Sequence, residues 1–89
     1  MFQGKTLLIT GGTGSIGREV LAYFWETDLK EIRIFSRDEE KQYQLKLAYG
    51  NERLRCYLGD IRDEASLRSA MRGVDYVFHA AALKQVPSC

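Results

Sequence analysis

TLLITGGTGSIGREV (residues 6–20) sets four glycines, Gly11, Gly12, Gly14 and Gly17, between an apolar run and an amphipathic one. A glycine inside a regular element costs roughly 0.5–1 kcal/mol relative to alanine. A cluster of them points to a backbone requirement, either positive φ or close approach to a ligand. The flanking sequence has to say which.

Outward from this stretch, strand and helix signals alternate. KTLLIT (5–10) is a short apolar run rich in β-formers, and from Ser15 to about Thr27 apolar residues recur at helical spacing (Ile16, Val20, Leu21, Phe24, Trp25). EIRIF (31–35) alternates as a strand, and a polar helix follows from about Asp38 to Tyr49 with Gly50 as its stop. RLRCYL (53–58) reads as a third strand, DEASLRSAMR (63–72) as a third helix closed by Gly73, and VDYVFHAAA (74–82) as a fourth strand. This is the pattern of βαβ units on a parallel sheet, an α/β chain with helices on both faces. The fourth strand is apolar almost throughout, as suits a strand paired on both edges. In the order 3-2-1-4 it is an edge here, and the chain stops at LKQVPSC without a helix to cover it. The expectation is the N-terminal half of a doubly wound domain, apparently truncated, and alone either marginally folded or self-associating.

Composition narrows the class of function. Eighty-nine residues, 45% hydrophobic and 28% charged, describe an ordinary globular chain, and a formal net charge of +1 makes no electrostatic case for nucleic acid or an anionic membrane surface. No apolar run approaches a membrane span, and the N-terminus lacks the pattern of a secretory signal, so the cytoplasm is the expected compartment. Cys56 and Cys89 form no CxxC pair and His79 is the only histidine, so no metal is expected. Cys56 lies on the same side of its strand as Leu54 and Leu58 and reads as a small core residue.

Gly12-Thr13-Gly14-Ser15-Ile16-Gly17 fits GxGxxG, a weak signal alone. Here it follows a strand and opens a helix in the first βαβ unit, the context of a dinucleotide fingerprint. The glycines then serve the tight turn, the approach of backbone to pyrophosphate and the packing of helix on strand, and the helix N-terminus faces the phosphates. A glycine-rich turn that binds nothing is the plainer alternative. At the end of the second strand, where NAD-binding folds place an acidic residue, this chain has Ser36 and Arg37, with Lys41 a helical turn further on. A hydroxyl and two cations suit a 2′-phosphate and favour NADP over NAD; the alternative is that Arg37 and Lys41 are solvated charges. Asp38 and Glu39 follow in the first turn of the next helix, where capping it accounts for them.

TGGTGSIG, FSRDEEKQ, GDIRD and HAAALKQVP, in this order, resemble the extended short-chain dehydrogenase/reductases with their Rossmann fold, and more narrowly the polysaccharide-biosynthesis branch that includes the UDP-N-acetylglucosamine 4,6-dehydratases, some of which also epimerise C5. The resemblance implies that Gly11, Thr13, Gly14, Ser15, Ile16 and Gly17 line the cofactor. It implies that Asp60 and Ile61 border the adenine, Asp60 accepting from the exocyclic amine, though Asp60 as a helix N-cap is the alternative. Ala80, Ala81 and Ala82 let the cofactor lie close to the strand end or admit a covering helix, and Lys84 touches cofactor or sugar nucleotide unless it is merely solvated. The implied chemistry is hydride transfer from hexose C4 to bound NADP and its return at C6 after loss of water.

The Tyr-x-x-x-Lys pair of that chemistry is expected beyond residue 89, and YQLK (Tyr43–Lys46) has the wrong spacing. No catalytic residue is therefore assigned. Residues 1–89 are read as the N-terminal portion of an NAD(P)-binding domain, inactive alone, whose full-length form is a homo-oligomer acting on a UDP-sugar. A UDP-sugar 4-epimerase or reductase of the same superfamily, or a non-catalytic dinucleotide-sensing module, shares the same first half.

Overall fold

Residues 2–80 are described in a computed structural model, and the alternation of strand and helix runs through all of them. In chain order the elements are β1 (Thr6–Thr10), α1 (Ser15–Trp25), β2 (Glu31–Ser36), α2 (Glu39–Tyr49), β3 (Leu54–Leu58), α3 (Glu64–Ala70) and β4 (Tyr76–His79). The strands pair in parallel in the order β3-β2-β1-β4, as the sequence led us to expect. Successive side chains of a strand point to opposite faces, and here both faces are covered. Leu7, Ile9, Ile32, Ile34 and Leu54 pack with Leu21 of α1 and Leu45 of α2. Leu8 and Phe35 turn the other way and pack with Ala70 of α3.

Several boundaries differ from the expected ones, each for a local reason. α1 stops at Trp25 instead of Thr27, because the Thr27 hydroxyl donates back to the Phe24 carbonyl at 2.6 Å. Arg53, just before β3, then takes up the loose carbonyls, donating to Trp25 and Leu29 at 2.8 Å and Thr27 at 2.6 Å, with its guanidinium 4.7 Å from the Trp25 ring. A cation at a helix C-terminus also meets the negative end of the helix dipole. On the opposite face Arg33 does the same for α3, donating from Nη1 to the Ala70 carbonyl at 2.8 Å while Glu31 accepts from its Nε at 2.9 Å. β4 begins two residues later than expected: Asp75 hydrogen-bonds Thr6 through its amide and its carboxylate, both at 2.9 Å, and so starts the pairing before the strand proper.

Cys56 is half-buried against the larger core cluster, and burial pushes its thiol up from the ordinary value. Its neighbour Leu54 is buried, whereas Leu58 is 50% exposed, because β3 is an edge strand whose cover thins toward its C-terminal end. At the other edge, β4 pairs only with β1 among the described residues, and Tyr76 and Val77 are 43% and 46% exposed. They join Phe2, Phe24 and Phe78 around an apolar hollow of about 150 Å³. Among the described residues no helix is long and apolar enough to cross a membrane.

Candidate functional site

The turn after β1 divides its four glycines by physical cause. Gly11 has φ +68°, the left-handed region that favours glycine, and its amide donates to the Phe35 carbonyl at 2.8 Å. A Cβ on Gly12 would sit 2.7 Å from the Ile34 side chain, and one on Gly17 would sit 2.4 Å from the Gly11 carbonyl oxygen. The protein itself requires these three. Gly14 is different: its φ of −78° suits any residue, and an added Cβ would meet nothing closer than the Gly11 oxygen at 3.6 Å. Neither the conformation nor the surroundings of position 14 require a glycine.

Gly14 is also the N-cap of α1, and no side chain caps this helix. The other two helices are capped by aspartates. Asp38 accepts from the Lys41 amide at 3.0 Å, and Asp63 accepts from the Ala65 amide at 3.2 Å. Both also carry acidic residues in their first turns, and α1 carries none. Its N-terminal amides, with the positive end of the helix dipole, are thus unopposed by any carboxylate of the helix itself. Asp63, not Asp60, caps α3, which settles the alternative left open for Asp60; Asp38 is a cap, as its position suggested.

At the end of β2, Ser36 is buried and its Oγ accepts from Nε2 of Gln42 at 2.9 Å. The same amide group donates to the Tyr57 carbonyl at 2.9 Å, tying α2 to the ends of β2 and β3. Because Ser36 Oγ is used as an acceptor, its own hydrogen is left to donate. Arg37 follows, exposed, with Nη1 3.4 Å from Oδ2 of Asp60. At the end of β3, Gly59 donates its amide to the Ser36 carbonyl at 2.9 Å, and a Cβ there would strike the Phe35 ring at 2.7 Å. Asp60 comes next, and Arg62 wraps its carboxylate: the backbone amide donates to Oδ1 at 2.9 Å and Nη2 to Oδ2 at 2.8 Å.

Arg62 holds the Asp60 carboxyl at about 2, through its side-chain hydrogen bonds first and its amide second. A carboxylate depressed in the fold adds stability above its unfolded value, and that contribution is lost as pH falls from about 4 through about 2. The group is open to solvent only in part, but its partner Arg62 is exposed, so the effect on stability is small, and the titration itself is readable. Carboxyl-carbon NMR should show Asp60 ionised down to about pH 2, and Arg62→Ala should raise its midpoint toward an ordinary aspartate. An Asp60 midpoint near 4 in the unaltered protein would contradict the observed geometry.

These pieces surround one cleft of about 1000 Å³ at the C-terminal ends of β1, β2 and β3. Gly11, Thr13, Gly14, Ser15, Ile16 and Gly17 line one wall; Ser36, Arg37, Lys41, Asp60 and Ile61 line the other, with Ala80 beside them. Every described residue that was expected to line a cofactor is thus in the same cleft. Ala81, Ala82 and Lys84 lie outside the described residues. Six contributors were missed. Phe35, Asp38, Glu39, Gly59 and Arg62 also line the cleft, and Gln42 donates to Ser36 Oγ from behind it. A glycine between a strand and an aspartate was a visible signal for Gly59; Gln42 shares a helical face with Leu45, three residues on, which was the only hint of its burial.

Comparison with known proteins places this geometry. Residues 7–89 match the family described as "Polysaccharide biosynthesis protein". The chain is 60% identical over 93 aligned positions to a "UDP-glucose 4-epimerase" of Rickettsia massiliae, covering all of this chain and 27% of that protein. Among solved structures it is similar to Pen from Bacillus thuringiensis, with 42% identity, a TM-score of 0.88, and coverage of 97% of this chain and 27% of that one. A Veillonella parvula short-chain dehydrogenases/reductase solved with NADP gives a TM-score of 0.71 at 24% identity over 84% of this chain and 34% of its own; that likeness speaks for the fold alone. The chain spans about a quarter of the length of the curated relatives it matches. It belongs to the polysaccharide-biosynthesis branch of the extended short-chain dehydrogenase/reductases.

Proposed function

We propose that this chain is the nicotinamide-dinucleotide-binding portion of a UDP-sugar enzyme of polysaccharide biosynthesis, and that its cleft takes NADP in preference to NAD. One observation carries the reading: α1, alone among the described helices, lacks an N-terminal side-chain cap, and the glycine at that cap has a conformation and a surrounding that demand no glycine. A pyrophosphate lying against Gly14 supplies both the anion for the amides and the reason for the missing side chain. Ser36, as an oriented donor, with Arg37 and Lys41, suits a 2′-phosphate, and Ile61 and the Arg37 guanidinium offer flat or apolar contact to adenine. When bound, the nicotinamide supplies a hydride acceptor for oxidation of a hexose carbon. The chain's own residues bind and orient it, and the acid–base groups belong to sequence outside residues 1–89.

Arg37→Ala, made in the protein expressed from the complete reading frame, should weaken NADP binding by about 1.5–3 kcal/mol and barely change NAD binding. Equal losses for the two cofactors in titration calorimetry would remove the 2′-phosphate assignment. Two outcomes after C4 oxidation are in play. The motifs SRDE and AALKQVP favour a UDP-N-acetylglucosamine 4,6-dehydratase, and the name of the 60% identical relative favours a UDP-glucose 4-epimerase. NMR of products from both UDP-sugars separates them: a 4-keto-6-deoxy sugar for the first, a C4 epimer for the second. Neither product, with cofactor bound, would leave a dinucleotide-sensing module.

A further inference from the structure

Asp60 holds two guanidinium groups, but unequally. Arg62 reaches it through its amide (2.9 Å), through Nε to both oxygens (3.2 Å each) and through Nη2 (2.8 Å), whereas Arg37 touches it once, at 3.4 Å. Arg62 therefore fills most of the acceptor capacity of the carboxylate and leaves Arg37 loosely held. The other ionised groups lining the cleft are the carboxylates Asp38 and Glu39 and the cation Lys41, all at the start of α2. With Arg62 present, three cations face three carboxylates; without it, the carboxylates are in excess by one, and Asp60 is free to capture Arg37. A 2′-phosphate brings about two negative charges to this mouth, so the balance matters for NADP and hardly at all for NAD.

We propose that Arg62 is a positioning residue for cofactor choice: by occupying Asp60 it leaves Arg37 available to the 2′-phosphate. The inference rests on the cofactor reading above and goes beyond it by giving the preference for NADP a second determinant, on a different strand end from Arg37. It also assigns Asp60 a task apart from any contact with adenine, namely holding two cations at the rim of the cleft. The side chains of Arg62 and Arg37 are 80% and 70% exposed, so exchanging either leaves the core untouched.

The test is titration calorimetry of NADP and NAD against the protein from the complete reading frame and its Arg62→Ala, Asp60→Asn and double variants. Arg62→Ala should weaken NADP about fivefold, the upper scale for an exposed charge pair, and change NAD by less than about twofold. The double variant should bind NADP within about twofold of Asp60→Asn alone, because no carboxylate is left to capture Arg37. The loss in Arg62→Ala should shrink at about 0.5 M salt, which a packing defect would not do. Equal loss for both cofactors, no loss for either, or a double variant that loses as much NADP affinity relative to Asp60→Asn as Arg62→Ala loses relative to the parent overturns the proposal. If the unaltered protein binds NADP no better than NAD, the cofactor preference itself fails; if that preference holds and Arg62→Ala leaves it intact, only the role of Arg62 fails.

Discussion

Gly14→Val should cut dinucleotide affinity by about 100-fold or more, roughly 2.7 kcal/mol, while leaving the protein folded. Valine is comfortable at φ −78° and ψ 175°, an extended conformation, and its Cβ has only the Gly11 oxygen nearby, at 3.6 Å. The cost to the fold is that of a poorer N-cap, up to about 1 kcal/mol. The cost to binding is steric, since its methyl groups fill the space in front of the α1 amides. Calorimetry and a thermal melt on the same sample decide it: unchanged affinity would mean that the turn cradles no phosphate, and loss of the melt would mean that Gly14 serves the fold after all.

Gly17→Ala should do the reverse. An added Cβ would lie 2.4 Å from the Gly11 oxygen and 2.5 Å from the Gly12 Cα, both backbone atoms that cannot rotate away. Overpacking of this kind costs about 1–3 kcal/mol, and here the upper end is expected because α1 must lift from the turn. Denaturant unfolding should show a lower midpoint with an unchanged slope. A variant as stable as the parent would show that the helix has room to move. The pair of variants separates two uses of glycine that the motif alone merges.

That merging marks the boundary of what could be read from residues alone. The alternation of strand and helix and the buried face of α1 followed from apolar spacing, and the order 3-2-1-4 from the doubly wound pattern that this alternation suggests. The caps at Asp38 and Gly50 were legible because each acts on its own helix: Asp38 bonds the amide three residues on, and Gly50 takes φ +51°. The place of the candidate cleft was legible for the same local reason, since the glycines, Ser36-Arg37 and Asp60 lie at or just after strand ends. What stayed hidden depends on partners distant in the chain. Gln42 is buried because Tyr57, fifteen residues away, offers a carbonyl, and the loose carbonyl of Trp25 is met by Arg53, 28 residues further on. The unequal grip of Arg62 and Arg37 on Asp60 is a matter of ångströms, and no spacing rule encodes it.

Arg53 and Arg33 also divide the molecule mechanically. Each fastens the C-terminal end of a helix, α1 on one face and α3 on the other, at the rim where the strands begin. The opposite rim has no such side-chain bolt on α1, whose first turn is held by its own backbone bonds, by Gly17 against the turn and by Ile16 packed on the core. A cofactor bound at this end, as proposed above, would supply the missing fastener. Binding should therefore stiffen the far rim more than the near one, slowing amide exchange at Ser15 and Ile16 while leaving the Arg53 end of the helix as it was.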